Sequence, residues 1–276
     1  MTIQWFPGHM TRAKRQLEKQ INKTDIVIEL RDARAVMSSA NPLLDEIIGE
    51  KPRLIILAKV DMAEADITQA WIEYFQAQGI MAIHLNILTD DVKGLISRQV
   101  AHLMKPVHKR LQKRGIRPRA SRALVVGIPN VGKSTLINRL ANKKVASTAN
   151  KPGLTKALKL IKVNNTLEVI DSPGMLWPKF EDEIIGINLA LIGSINEDLL
   201  PYEKLVKKSF AKVKAKPDLF DFEYSDYTDL ILKLGQARNY MVEDKVDIER
   251  SQKAYLRQLR NNEFFRVSWE TPDDIL

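Results

Sequence analysis

Two short clusters of residues have the types and spacing to handle a nucleoside triphosphate. The first is Gly127-Ile128-Pro129-Asn130-Val131-Gly132-Lys133-Ser134-Thr135, which follows the apolar run Ala123 to Val126 and precedes the helix-like stretch Leu136 to Leu140. Strand, glycine loop and helix is the setting in which consecutive backbone N–H groups turn inward onto phosphate oxygens. Gly127 and Gly132 allow the curl, and the helix adds the positive end of its dipole. In that setting Lys133 meets the β- and γ-phosphates, Ser134 offers its hydroxyl to Mg²⁺, and Asn130, Val131 and Thr135 complete the loop. The second cluster, Asp171-Ser172-Pro173-Gly174, has the form DxxG at the end of an apolar run, about 40 residues further on. Its carboxylate can bind a water ligand of Mg²⁺, and the Gly174 amide can approach a γ-phosphate with no side chain in the way. Between the two clusters, Thr155 carries a hydroxyl that can join Mg²⁺ when a γ-phosphate is present.

A third cluster, Ala58-Lys59-Val60-Asp61, has the register of a base-reading loop. Asp61 can accept from the ring N–H and exocyclic amine of guanine, a pattern that adenine does not offer, while the Lys59 stem covers the ring. Ala58 stands where such loops ordinarily carry Asn. The cluster also lies upstream of the phosphate loop, the reverse of the familiar order.

These loops need a scaffold that brings them to one face. Short apolar runs at 25–30, 53–57, 80–85, 122–127, 157–163 and 167–171 read as strands, interleaved with helical stretches at 11–23, 42–49, 63–78, 92–104 and 181–195. That alternation predicts an α/β fold, a doubly wound sheet with its ligand at the carboxyl ends of the strands, where the loops at 31–34, 58–61, 127–135 and 171–174 all emerge. The basic segment 105–119, punctuated by Pro and Gly, reads as an exposed connector, and after about residue 199 only 264–269 reads as a further strand. The order of the loops resolves if a P-loop GTPase sheet is circularly permuted: the first three strands here are the last three of the ordinary order, and the connector joins the old termini. The expected domains are 1–195, a circularly permuted GTPase domain with an N-terminal arm, and 196–276, a smaller and mostly helical C-terminal domain, for which the family resemblance given below implies binding to RNA or the ribosome.

The chain has 276 residues, 45% hydrophobic and 28% charged, which is ordinary globular usage. No window approaches a membrane span, no secretory signal is visible, and the absence of cysteine excludes disulfides and thiolate metal sites; a cytoplasmic address is expected. A net charge of +9 points to a polyanionic partner. The charge is clustered, with eight Lys/Arg and no acid between Lys105 and Arg122, and six more Lys between Lys204 and Lys216.

Taken together, Ile3 to Met10 (IQWFPGHM), Asp32-Ala33-Arg34, Met37 to Pro42 (MSSANP), the phosphate loop, Pro152 to Lys156 (PGLTK), Asp171 to Asp182 and Ser268 to Pro272 (SWETP) give a sequence that resembles the circularly permuted GTPases of ribosome assembly. The resemblance is close over 1–195 and thins beyond. It implies GTP hydrolysis to GDP with Mg²⁺ held through Ser134, Thr155 and Asp171, low intrinsic turnover stimulated by ribosomal particles, and a C-terminal helical domain that touches ribosomal RNA. The implied partners are a large ribosomal subunit precursor, its RNA and its proteins, with no membrane and a monomeric state. It also implies K⁺ at Asn130, and His9 as the group that orients water, because Met175 stands where many GTPases carry Gln. Transition-state charge then falls on Lys133, the loop amides and the metal, with Thr155 and Gly174 placed at the γ-phosphate. Three departures from the pattern concern the base end: Ala58, Ala35-Val36 in place of Ile-Pro after Asp-Ala-Arg, and His84-Leu85-Asn86-Ile87 in place of a Ser-rich loop. The competing readings are an RNA-binding assembly scaffold that holds nucleotide with little hydrolysis, and a P-loop ATPase or nucleotide kinase. In a competition experiment GTP is expected to displace a bound guanine nucleotide where ATP does not; preferential displacement by ATP refutes the role given to Asp61.

Overall fold

Every residue of β1 (Ile26–Asp32) is buried, so this strand must be covered on both sides. Its alternate side chains do separate work: Ile26, Ile28 and Leu30 enter one core, and Val27 enters another with Leu124, Val126 and Leu44. In a computed structural model the chain is described over residues 14–15, 17–144, 160–177, 180, 182–196, 201–216, 219–261 and 263–275. Within these residues β1, β2 (Arg53–Ala58), β3 (Met81–Leu85), β4 (Ser121–Gly127), β5 (Leu160–Lys162) and β6 (Leu167–Asp171) form one sheet in the order β3-β2-β1-β4-β6-β5. All neighbours are parallel except β5 and β6. The expected doubly wound sheet is present, with the expected strand 157–163 represented by β5 as an antiparallel edge.

Helices flank the sheet. On one face lie α3 (Val92–Lys113), which buries Ile96, Val100 and Met104, and α4 (Lys133–Ala141), which buries Leu136, Ile137 and Leu140. On the other lie the helical residues 17–21 with Leu17 and Ile21, then α1 (Pro42–Ile48) and α2 (Ala65–Ala77), whose Trp71 and Phe75 stack against each other over Ile55 and Leu57. Starts are set by side-chain caps. Asn41 accepts from Leu43 N–H ahead of α1, with Pro42 at the first helical position, and Asp91 accepts from Gly94 N–H ahead of α3.

The expected connector at 105–119 is corrected in part, since α3 continues through Pro106 to Lys113. One proline removes a single backbone hydrogen bond, whereas the buried face that ends at Met104 already carries the helix to that point and His108 pairs with Ser121 Oγ at 3.2 Å. Only 114–120 is irregular, and there Arg119 holds Asp25 through both nitrogens at 2.7 and 3.0 Å.

Beyond β6 come α5 (Glu183–Leu191), α6 (Tyr202–Lys214), α7 (Tyr227–Ala237), the small hairpin β7 (Met241–Val242) and β8 (Lys245–Val246), and α8 (Ile248–Arg260). The three helices α6 to α8 share a core around Tyr255, whose hydroxyl pairs with Ser209 Oγ at 2.9 Å. The strand expected at 264–269 is absent. Its N–H groups go singly to loop carbonyls, Val267 to Met62 at 3.0 Å and Trp269 to Arg34 at 2.6 Å, so no ladder forms. The segment is instead a strap that returns to the strand ends. Glu270 accepts there from the N–H groups of Met37 and Ser38 and from the hydroxyl of Ser38, and Asn188 on α5 donates to the same carboxylate at 3.0 Å. Among the described residues no helix is long and apolar enough to cross a membrane.

Candidate functional site

The phosphate loop leaves β4 under tight steric constraint. Gly127 has φ 149°, and a Cβ there would lie 2.7 Å from the Leu30 carbonyl of β1, its partner in the sheet. Only glycine fits so close an approach. Val131 is wholly buried and pins the loop to the core, while Gly132, at φ 112°, caps α4 and turns Lys133, Ser134 and Thr135 into its first turn. Lys133 is buried, and its Nζ donates to the carbonyls of Gly127 at 2.9 Å and Ile128 at 2.7 Å. Burial, offset only in part by the charge of Asp171, lowers the ammonium to about 8. Conversely burial raises the Asp171 carboxyl, against the pull of Lys133 and a backbone hydrogen bond from Ser172.

The DxxG segment docks on this loop. Asp171 ends β6 opposite Val125 of β4, and Ser172 Oγ donates to the Val125 carbonyl at 2.6 Å. A Cβ on Gly174 would meet Lys133 Nζ and Pro129 Cα, each at 3.0 Å, so the backbone here lies directly against the ammonium. Met175 follows, buried, with its carbonyl held by Asn41 Nδ2 at 3.0 Å. Asn130 is in the left-handed region at φ 59° and donates through Nδ2 to the Gly193 carbonyl at 2.9 Å, at the end of α5. That carbonyl is one of three between 190 and 193 captured from different parts of the chain: Arg260 donates to Ala190, Arg34 to Ile192 and Asn130 to Gly193.

The base-reading cluster emerges from β2. Because β1 lies between β2 and β4, the two exits are two strand spacings apart, ~10 Å, the separation a nucleotide bridges between base and phosphates. Ala58 is wholly buried and Lys59 has φ 60°. Lys59 Nζ lies 3.0 Å from Asp32 Oδ2. Arg34 grips the same carboxylate with Nε and Nη2, both at 2.9 Å, while its own N–H adds a bond of 3.1 Å. Burial opposes the charge on Asp32, yet Arg34 and Lys59 hold its carboxyl well below the usual carboxylate range. Burial likewise opposes Arg34, and Asp32, helped by the charge of Asp61, raises it. Sequence reasoning marked 31–34 only as a loop of functional character and assigned no role to Asp32 or Arg34. The signal was there in the pairing of opposite charges at the exits of two strands, and the sheet register sets Asp32 opposite Ala58.

Gly127, Lys133, Asp171 and Gly174 are thus brought together, Asn130 is turned toward α5, and Lys59 and Asp61 stand one strand beyond β1. His9 and Thr155 lie outside the described residues. The fit to a guanine nucleotide with Mg²⁺ is good at the phosphate end: a cradle too narrow for any Cβ, a buried ammonium, a hydroxyl at a helix start and a buried carboxylate at a neighbouring strand end. Mg²⁺ asks little more of a protein, since phosphates and waters complete its shell.

Comparison with known proteins agrees with this geometry. A family model described as 50S ribosome-binding GTPase matches residues 122–250, beginning in the strand that feeds the phosphate loop. Ribosome biogenesis GTPase A of Bacillus cereus is 41% identical over 282 residues, covering 99% of this chain and 95% of the relative. The chain belongs to the ribosome biogenesis GTPase A family. The relative of that name from Thermotoga maritima is 30% identical over 99% of this chain and 96% of its own length. The crystal structure of GNP-bound YlqF from T. maritima covers 95% of this chain and 99% of that one at a TM-score of 0.72 and 26% identity. Membership in the family makes the protein a circularly permuted P-loop GTPase that binds and hydrolyses GTP.

Two outcomes are expected. Gly174→Ala forces a methyl against Lys133 and Pro129 and should lower GTP turnover about a hundredfold while leaving GDP affinity near that of the wild type; equal losses of both refute the placement of Gly174 at the γ-phosphate. For Lys133 the sign follows from its lowered value. Below pH 8 folded and unfolded chains both carry the charge and the folded one bears the cost of burying it. Between about 8 and 10.5, the ordinary lysine value, only the folded chain sheds its proton, so the cost is relieved as pH rises. The stability deficit of the nucleotide-free wild type relative to Lys133→Met should therefore shrink across that window in melting experiments.

Proposed function

We propose that this GTPase is a switch in the assembly of the large ribosomal subunit: with GTP and Mg²⁺ it docks on a precursor particle as a monomer, and hydrolysis releases it. The observation that carries the reading is the double hold of one segment on the phosphate loop. Gly174 lies against Lys133 at one end, the Gly193 carbonyl accepts from Asn130 at the other, and α5 between them is tied to α8 through Arg260. A γ-phosphate arriving at Lys133 must contend with Gly174, and a movement of the phosphate loop at Asn130 reaches the end of α5, which Arg260 ties to α8 through Ala190.

The division of labour proposed is a GTPase domain over 1–195 and an RNA-facing, mostly helical domain over 196–276. The basic blocks support contact with ribosomal RNA, and the names carried by the matching family model and relatives support a ribosomal particle as partner. Ser134 and Asp171, with Thr155, would hold Mg²⁺, which when bound neutralises phosphate charge. Lys133 and the loop amides hold the charge that develops on the transferred phosphoryl group. Asp61 accepts from guanine and Lys59 covers it. Met175 has a buried thioether unable to orient water, so that task falls to His9 of the N-terminal arm. Asn130, exposed and with its amide nitrogen engaged at Gly193, has an oxygen to offer K⁺ beside the phosphates.

GTP turnover measured with graded K⁺ should be low in the isolated protein and rise several-fold with large-subunit precursor particles, and particle affinity should fall steeply with added salt as phosphate contacts release counterions. Turnover indifferent to particles would leave an RNA-binding scaffold as the better description.

A further inference from the structure

We propose that Asp32 is the positioning residue of the base-reading loop: its buried carboxylate holds the Lys59 ammonium so that the lysine stem lies across the guanine, the tethering task that Ala58 cannot perform. This deepens the reading of 58–61 as the base-reading loop and rests on it. Four features carry the inference. The Ala58 side chain is a wholly buried methyl, so the first position of the loop has no hydrogen bond to give. Lys59 holds φ 60°, a conformation unfavourable for a residue with a side chain and maintained only where the surroundings impose it. The sheet register sets Asp32 level with Ala58, so the carboxylate of one strand exit meets the side chain that starts the next, Oδ2 to Nζ at 3.0 Å. Finally, Asp32 is itself immobilised, since Arg34 grips both its oxygens and is in turn fixed on the carbonyls of Ile192 and Arg260. A carboxylate held this firmly fixes the far end of Lys59, while about a quarter of the lysine side chain stays exposed at the open end of the site.

The arrangement predicts a loss of nucleotide binding over and above the stability lost when Arg34 is left without its buried partner. With Asp32→Asn the dissociation constants for GDP and GTP should rise about tenfold, the usual consequence of losing one charge-assisted hydrogen bond. KM should rise with them while kcat at saturating GTP stays unchanged. Lys59→Met should show the same loss, and Asp32→Asn combined with Lys59→Met should be no weaker than Lys59→Met alone, since both remove one interaction. A purely structural role for Asp32 lowers the melting temperature without moving KM, and full additivity of the two substitutions likewise overturns the proposal. Should Asp32→Asn fail to fold, Lys59→Gln and Lys59→Met, which leave the buried pair intact, decide the matter. Gln retains a donor for Asp32 and should bind GDP several-fold more tightly than Met, and equal affinities overturn the proposal. Asp61→Asn tests the underlying reading separately, because an amide at that position can donate to the C2 carbonyl of xanthine. If it does not shift preference from guanine to xanthine nucleotides, the base-reading assignment fails; if it does while Asp32→Asn binds as the wild type, only the role of Asp32 fails.

Discussion

The buried ion pair between Asp32 and Arg34 is the constraint on which the nucleotide face depends. Taking both charges out of water is expensive, and their attraction offsets the cost only with good geometry and with the remaining donors satisfied. Both conditions are met: two bonds of 2.9 Å join the pair, Lys59 approaches the carboxylate from the neighbouring strand, and the guanidinium spends its other donors on backbone carbonyls at the end of α5 and of α8. Removal of either partner would strand a charge at zero or near-zero exposure, a loss of roughly 3–5 kcal/mol in comparable sites. Four segments far apart in the chain, the exits of β1 and β2 and the ends of α5 and α8, are therefore registered on one pair of side chains.

The phosphate end has the opposite electrostatic character. There a lysine is buried beside carbonyl oxygens of its own loop, with one carboxylate nearby whose own charge is disfavoured by burial. Such a site holds positive potential that its own residues do not neutralise, and a polyphosphate supplies the missing charge. The charges around Asp32 compensate one another and those around Lys133 do not, so on the proposed reading of the site the electrostatic attraction for a nucleotide lies at its phosphate end.

What could be read from the sequence was whatever backbone geometry imposes on residue type. Gly127 must be glycine because β1 passes 2.7 Å from where a Cβ would be, and at Gly174 a Cβ would crowd Lys133 and Pro129, so both advertise themselves as motifs. The permuted order was legible for the same reason, since each loop kept its place after an apolar strand. Side-chain partners that arrive from elsewhere were not legible. Nothing near Ser38 announces that Glu270 will cap it, and nothing near Asn130 that Gly193 will accept from it. Composition misled at 105–113, where lysine, arginine and one proline suggested a connector although the helical face of α3 was already established upstream. At 264–269 an apolar run suggested a strand, but the sheet has no edge there to pair with it and the segment bonds to loops instead.

The strap bears on how the molecule is made. Ser38 receives its carboxylate cap from a residue 232 positions downstream, and the Met62 and Arg34 carbonyls receive N–H groups from Val267 and Trp269. Contacts of such sequence separation carry a large loop-closure cost and form late in folding, all the more so on a chain that emerges from its amino end. The exit loop of β1, among the first-made parts of the nucleotide face, is thus among the last to acquire its native partners. A nascent chain can build strands and phosphate loop before that loop is closed over, and the nucleotide face is complete only once the C-terminal strap has arrived.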